Sequence, residues 1–483
     1  MDHFRLSIID LTTAGRQPME SSRYVMVYNG EVYNYKEMAF QMSRNDDLGD
    51  FVLPGDSKVV LNYISKFGLK KALESMNGMW AIALYDKQEH KLHLTVDRFA
   101  QKPLYYYHEK ETFAFASSPA ALLHLKDKWK ISEQGLQSYW MLGSAMGSIW
   151  EGIEKVDGSE IVTYNLDKKT ISKERYWEPT YQTNTNGIED LILDAIRKVK
   201  VSDVPIYLFL SGGIDSSLCA SQFNNGNAIH MDSPELKYAQ QVSLRFNIDL
   251  QIVSPKNICV SEALQDHAMK CGEPQMSALI PYLVSKEISK LGVKVAISSN
   301  AADELFFGYN RTKEQVSQNQ IDHIFRNGYG FERPPMLKYI DERFSSGRWL
   351  ELQTYIKHDL NKTLDFASMA HSVEVRCPYL DHRLVEMALS IPQDRHGKKD
   401  ILKSMLRKFG FNEQFLNRPK MGFSLYIEPN GYKKMKSDAF RWCRLNGFLN
   451  LNNKPVTPRD QEYLEVSALS FYNWYEVFKN KIQ

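Results

Sequence analysis

Residues 208–217 read Leu-Phe-Leu-Ser-Gly-Gly-Ile-Asp-Ser-Ser, and few chain folds accommodate such a stretch. Residues 205–210 are a short apolar run of strand composition, and residues 216–223 can wind as a helix. Between them, Gly212 and Gly213 let the backbone turn sharply and bring several N–H groups towards one point. A helix N-terminus opening at the same place favours an anion, and pyrophosphate is the one expected. Asp215 stands where a carboxylate can hold Mg²⁺ against those phosphates. The chain has no Gly-x-x-x-x-Gly-Lys-Ser/Thr pattern, so this is not the common nucleoside-triphosphatase loop.

The flanks say what kind of sheet carries the turn. Ile188, Leu191, Ile192, Ala195, Ile196 and Val199 form a helical apolar stripe that leads into the 205–210 strand. After the turn come a strand at 228–231, a helix opened by Ser233 and Pro234 and running to about 245, and a strand at 250–253. A helix at 279–291 and a buried-type strand at 293–298 complete the series. This alternation predicts a parallel sheet wrapped by helices, with ligands at the carboxyl ends of the strands. A second such end follows residue 298, where Asp303 is placed to face Asp215 and share the metal.

The first half reads differently. Residues 6–11, 24–28, 79–86, 91–96, 113–117 and 160–164 are strand-like, 35–44 and 59–67 are helical, and Asn29-Gly30-Glu31 is a turn by composition. A polar linker at 177–187 closes this sheet-rich part, giving domains at 1–177 and 188–483. Lys and Arg number 60 against 58 for Asp and Glu, so bulk charge calls for neither nucleic acid nor an anionic membrane. No apolar run approaches the ~20 residues of a membrane span. Cys219, Cys259, Cys271, Cys377 and Cys443 fit neither a disulfide framework nor a zinc site, which points to a reducing cytoplasm.

Ser-Gly-Gly-x-Asp-Ser after a strand resembles the ATP pyrophosphatases, and longer motifs narrow the likeness. His3 to Leu11, Tyr28-Asn-Gly-Glu-Val-Tyr-Asn-Tyr35, Gly78 to Asp86 and Asp97 to Tyr105 resemble the glutaminase domain of asparagine synthetases. In the second half Val295 to Tyr309, Ser368 to Glu386 and Asn417-Arg-Pro-Lys-Met-Gly-Phe423 are similar to the same family. The resemblance implies an α/β and α+β two-domain chain. An incomplete N-terminal αββα sandwich of the N-terminal-nucleophile hydrolase type would precede a parallel α/β ATP-pyrophosphatase domain.

It also implies a function: ATP-dependent amidation of a carboxylate, aspartate first, through an acyl-adenylate that ammonia attacks. A different acid, or a non-catalytic nucleotide-binding descendant, are the alternatives. Phe209, Leu210, Ser211, Gly212, Gly213, Asp215, Ser216, Ile229, Ser298 and Ser299 would hold ATP and pyrophosphate. Asp215 and Asp303 would hold Mg²⁺, and Lys420 would face the phosphates. Asn300, Glu304 and Arg376 would form the acid pocket, and Arg5, Asn29, Gly30, Glu31 and Asp56 the glutamine site.

Two departures stand out. The usual family pattern is Ser-Gly-Glu-Gly-Ala-Asp-Glu-Leu-Phe-Gly-Gly-Tyr, whereas here Ser299, Asn300, Ala301 and Phe307 differ from it. The family nucleophile is an N-terminal cysteine, and no cysteine precedes Cys219. The expectation is a shortened glutaminase domain that uses free ammonia unless a separate cysteine-bearing segment is supplied. A homodimer is left open.

Overall fold

The computed structural model describes residues 1–43, 55–254, 258–309, 312, 347–392, 397–418, 431–451 and 458–483. The first half contributes β1 (Met19–Glu20), β2 (Tyr24–Val32), β3 (Gly78–Asp86), β4 (Lys91–Val96), β5 (Tyr105–Glu109), β6 (Thr112–Ala116), β7 (Ile153–Lys155), β8 (Glu160–Asn165) and β9 (Thr170–Arg175). They pair antiparallel as a six-stranded sheet, β1-β2-β3-β4-β8-β9, and a three-stranded sheet, β6-β5-β7.

The period of two along each strand sorts side chains between layers. Met26, Tyr28, Trp80 and Ile82 meet the helices Tyr35–Ser43, Asp56–Phe67 and Leu69–Ser75 through Met38, Val60, Ile64 and Leu73. Val27, Ala81 and Ala83 turn the other way, onto Tyr106 of the three-stranded sheet. Tyr105 and Tyr107 leave the far side of that sheet and pack on Tyr139, Trp140 and the helix Pro458–Phe478. The layers therefore run helix, sheet, sheet, helix, the last one built partly by the C-terminus. Trp474 anchors it, fully buried, with Nε1 donating to Gly272 O at 3.1 Å. Truncating a buried tryptophan of this kind costs about 3–5 kcal/mol.

Two expectations for this half are corrected. Residues 6–11 are not a strand: Ile8 and Ile9 are buried, but no ladder pairs with them among the described residues. Asn29-Gly30-Glu31 is not a turn but part of β2, in register with Ala81, Trp80 and Met79. Gly30 has φ 137°, and a Cβ there would sit 2.1 Å from Met79 O. The glycine is needed for close approach of two strands rather than for chain reversal.

The second half holds β10 (Ile206–Phe209), β11 (Asn227–Met231), β12 (Asp249–Val253), β13 (Val295–Ile297) and β14 (Glu374–Arg376). All pairs are parallel, in the order β12-β11-β10-β13-β14. The chain builds outward from β10 to β12, then returns to the other side of β10 with β13. That reversal opens a crevice at the carboxyl ends of β10 and β13. A continuous helix formed by Gly347–Glu351, Leu352–Leu360 and Asn361–Met369 passes between this crevice and the first half. Its middle is wound wider, with Asn361 N–H donating to Ile356 O.

The contact between the halves is buried and charged. Lys357 Nζ pairs across it with Asp157 Oδ1 at 2.7 Å, and Lys362 Nζ, paired within its own half to Glu273 Oε2 at 2.5 Å, donates across it to Ala145 O at 2.9 Å. Lys155 Nζ donates to the carbonyl of Lys357 at 3.0 Å and has no carboxylate partner among the described residues, and its pKa falls from 10.5 to about 7 through burial, reinforced by the Lys362 charge. Between those two values the unfolded chain binds more protons than the folded one, so this group makes stability rise with pH from about 7 towards 10.5. Lys155→Met is expected to flatten that rise, with its relative stability greatest at pH 6.5. Urea midpoints measured from pH 6.5 to 9.5 check this; parallel profiles for the two proteins would contradict it.

Candidate functional site

A cleft of 690 Å³ lies at the reversal point of the parallel sheet. Phe209, Leu210, Ser211, Gly213, Asp215 and Ile229 line it from the β10–β11 side, and Ser298, Ser299, Asn300, Asp303 and Glu304 from the end of β13. The turn after β10 is tied internally. Gly213 N–H donates to Ser211 Oγ at 3.1 Å, and the Ser211 and Ser216 hydroxyls are 3.0 Å apart. Ser216 is buried and braces Ser211 rather than lining the cleft. Gly212 is also off the cleft wall; it has φ 78°, and a Cβ there would sit 2.6 Å from Ala239 N. Only glycine suits both that conformation and that approach. The following helix, Ile214–Ala220, begins earlier than the sequence pattern suggests.

Asp215 and Asp303 converge, as their positions after adjacent strands require. The group between them is one that sequence reasoning missed: Lys399 Nζ lies 2.6 Å from Asp215 Oδ2 and 2.5 Å from Asp303 Oδ1. Lys399 is held by its own backbone, with φ 57° and its N–H on Phe306 O at 2.9 Å. One ammonium touching both carboxylates shows that they can share a cation. Mg²⁺ is commonly held by one or two carboxylates together with substrate phosphates, so the pair fits such an ion. Among the described residues no group of three or more His, Cys, Asp or Glu could hold a metal.

Two further cleft residues escaped the sequence reading. His230 Nδ1–H donates to Leu210 O at 2.7 Å, and its Nε2 lies 3.1 Å from Ser233 Oγ. Burial lowers its pKa, so the ring is a neutral brace between β11 and the turn. Arg418 Nη2 donates to Gly212 O at 2.6 Å, and the guanidinium lies 3.9 Å above the Tyr238 ring. Its Nη1 is buried without a hydrogen-bond partner among the described residues, a donor on the cleft wall beside the Ser211 turn. The Asn417-Arg418-Pro419-Lys420 motif was the available signal, but it directed attention to Lys420, which lies outside the described residues.

The segment after β13 holds two left-handed backbone positions at non-glycine residues. Ala301 and Phe307 stand where the usual pattern has glycine, and they have φ 71° and 57°. Asn300 hangs on Ser298, whose hydroxyl donates to Asn300 Oδ1 at 2.9 Å. Glu304 is buried at the cleft wall.

Arg376, expected in the acid pocket, is a correction, because its side chain does not line the cleft. Val375 packs with Ile229, Met231 and Val284 on one face of the sheet, so its neighbour Arg376 points to the opposite face. There it donates to Val199 O and Val201 O and pairs with Glu31 at 3.3 Å. Glu31 and Asp56 are both buried, close enough for the Asp56 charge to help burial raise the Glu31 pKa. Tyr28 Oη donates to Asp56 Oδ2 at 2.7 Å. Arg5 bonds its own segment, at Ile9 O, Asp10 O and Thr12 O.

Comparison with known proteins fits this geometry. The sequence pattern of the asparagine synthase family matches residues 187–464, and that of a glutamine amidotransferase domain matches residues 1–177. The chain belongs to the asparagine synthase family. Its relatives include asparagine synthetase [glutamine-hydrolyzing] 2 of Bacillus subtilis strain 168, 27% identical over 502 residues, covering 87% of this chain and 65% of that protein. Asparagine synthetase [glutamine-hydrolyzing] 1 of the same strain is 26% identical, covering 91% of this chain and 81% of that protein. A provisionally named asparagine synthetase [glutamine-hydrolyzing] 2 of Methanocaldococcus jannaschii is 30% identical over 349 residues, 64% of this chain and 66% of that protein. The chain thus spans just under two thirds of the length of two of these relatives. A glutamine phosphoribosylpyrophosphate amidotransferase structure from B. subtilis overlays with a TM-score of 0.26 and 12% identity, over 63% of this chain and 62% of that one, too weak a likeness to argue from.

Lys399→Met removes the shared counter-charge of two largely buried carboxylates. It is expected to cost about 3–5 kcal/mol of stability, with Asp215→Asn in the same chain recovering part of the loss. Denaturant titration checks this, and an unchanged midpoint for the single variant would contradict the assignment.

Proposed function

We propose that the chain is an ATP-dependent carbon–nitrogen ligase that makes asparagine from aspartate. The observation that carries the reading is the convergence of Asp215 and Asp303 on one cation beside the Ser211 turn. Phe209, Ile229 and Val284 give the cleft an apolar wall suited to adenine, while Ser211, Lys399 and Arg418 supply donors and charge for the triphosphate. When bound, Mg²⁺ would neutralise phosphate charge, with Asp215 and Asp303 holding it. Lys420 is assigned to the α-phosphate from the resemblance alone.

The reaction of this reading has two steps. A carboxylate oxygen of the acid bonds to the α-phosphorus of ATP, and the bond to the β-phosphate oxygen breaks, releasing pyrophosphate. Ammonia attacks the acyl carbon of the adenylate, AMP leaves with the bonding electrons, and nitrogen gives up a proton. Positively charged groups fixed around the phosphates stabilise charge that grows in the first step without having to reorganise.

The helix–sheet–sheet–helix layering and the buried Glu31–Asp56 pair support reading residues 1–177 as a glutaminase-type sandwich. The carboxylates would take the α-ammonium of glutamine, and Arg5 its α-carboxylate. No cysteine occurs before Cys219, and burial pushes the Cys271 and Cys377 thiols up to about 12. Ammonia, free or released from glutamine, is the proposed nitrogen donor. Five free cysteines suit a reducing cytoplasm, and no described helix is long and apolar enough to cross a membrane.

A second reading, amidation of another acid, is favoured by Asn300. An amide can bond a neutral acceptor but cannot balance the ammonium of aspartate as the family glutamate would, a difference of about 1.5–3 kcal/mol. ATP–pyrophosphate exchange across a panel of carboxylic acids separates the two. Aspartate should support exchange, and Asp215→Ala should lower it by more than about a hundredfold, as expected when one preorganised charge is lost. Exchange with another acid alone would favour the second reading. Exchange within tenfold of wild type in Asp215→Ala would remove that carboxylate from the mechanism.

A further inference from the structure

Asn300 stands on the cleft wall with one end of its amide fixed. The Ser298 hydroxyl donates to Asn300 Oδ1 at 2.9 Å, and the same hydroxyl oxygen accepts from the Asn300 N–H at 3.3 Å. Turning the amide over would make that oxygen accept twice and leave its proton without a partner, so Oδ1 stays on the Ser298 side. Ser298 is itself pinned to the sheet, its N–H donating to Arg376 O at 2.9 Å. On the other side Ala301, with φ 71°, caps the short helix Ala302–Leu305. The capacity left open at Asn300 is therefore Nδ2, which has no partner among the described residues. It offers two donors and no acceptor.

An ammonium is also a donor without an acceptor, so it gains nothing from Nδ2 and needs a carboxylate in its place. Four carboxyl side chains line the cleft, those of Asp215, Glu235, Asp303 and Glu304. Asp215 and Asp303 share Lys399, and Glu235 pairs with Arg418 at 3.5 Å. Glu304 is buried and already engaged. An oxygen of a hydroxyl, carbonyl or carboxylate, by contrast, accepts directly from Nδ2. The wall at Asn300 thus matches an oxygen function and not an ammonium.

We infer that Asn300, oriented by Ser298, makes the acid site indifferent to an α-ammonium, and that its substrates are dicarboxylic acids, hydroxy acids as well as amino acids. The inference rests on the ligase reading of the cleft and on Asn300 meeting the α-substituent of the acid. Aspartate still enters, because it brings one carboxylate to react and a second to be held, but its ammonium earns no bond at Asn300. L-Malate has the same skeleton with a hydroxyl in place of that ammonium, and the hydroxyl oxygen accepts from Nδ2. The chemistry is the same for both acids. The reacting carboxylate oxygen bonds to the α-phosphorus and pyrophosphate leaves; ammonia then displaces AMP from the acyl carbon and loses a proton, giving the monoamide.

The test is ATP–pyrophosphate exchange by the full chain with L-aspartate, L-malate and succinate, compared as kcat/KM. Wild type should use L-malate at least as well as L-aspartate. Asn300→Glu supplies a charged acceptor for the ammonium and should swing the aspartate-to-malate ratio towards aspartate by about tenfold or more. Ser298→Ala releases Oδ1, so the amide can turn its acceptor to the ammonium; the ratio should move the same way by about twofold or more. Each ratio is taken within one protein, so a general loss of activity cancels, and Ser298→Ala decides alone if Asn300→Glu does not fold. A wild-type preference for aspartate above about tenfold, or a ratio unchanged in both variants, overturns the inference and leaves the ligase reading intact. Exchange with none of the three acids overturns the inference together with the aspartate reading on which it rests.

Discussion

The reversal of strand order beside β10 is the constraint on which the site depends. A parallel sheet that grew in one direction only would cover each strand end with the next helix. Because the chain steps back to place β13 on the other side of β10, two strand ends open side by side without a helix between them. The residues that follow each strand are then forced together, and both supply an aspartate. Two carboxylates in a largely buried place repel each other and lose water, so something positive has to stand between them. Lys399 does so in this structure, and the phosphates and metal of a bound nucleotide would enter the same field.

How much of this could be read from the chain follows from the distance over which each feature is encoded. The Ser211 turn and Asp215 are a local pattern of strand, two glycines and a helix, and they were legible at once. Asp303 was legible because it follows a second strand end of the same sheet. Lys399 was not: it arrives from 184 residues away, within a polar run that reads as solvated surface, on a left-handed backbone position no pattern announces. Arg376 was misplaced because the motif around it suggested substrate contact, whereas strand periodicity decides which face a side chain takes. Val375 keeps the cleft side and sends its neighbours across the sheet. Asn29-Gly30-Glu31 has turn composition, yet pairing with β3 overrides it, because a ladder of nine registered residues outweighs local preference.

The interface between the halves shows what composition conceals. A chain of nearly balanced charge concentrates ionised groups where water does not reach, and Lys102, Lys357, Lys362 and Arg376 are all buried there. Such pairs add little net stability over apolar packing, but removing one partner is severe, so they fix how the halves sit against each other. The C-terminal helix contributes to the same end. It closes the outer layer of the first domain while remaining part of the chain that follows the second.

The central claim is that this cleft activates a carboxylate by joining it to the α-phosphate of ATP. Transfer of label from an acid carrying ¹⁸O in its reacting carboxyl group tests it most directly. With aspartate, ATP and ammonia, mass spectrometry of the products should find one labelled oxygen in AMP and none in pyrophosphate. Label in inorganic phosphate, with ADP as the nucleotide product, would show attack at the terminal phosphate and contradict the account.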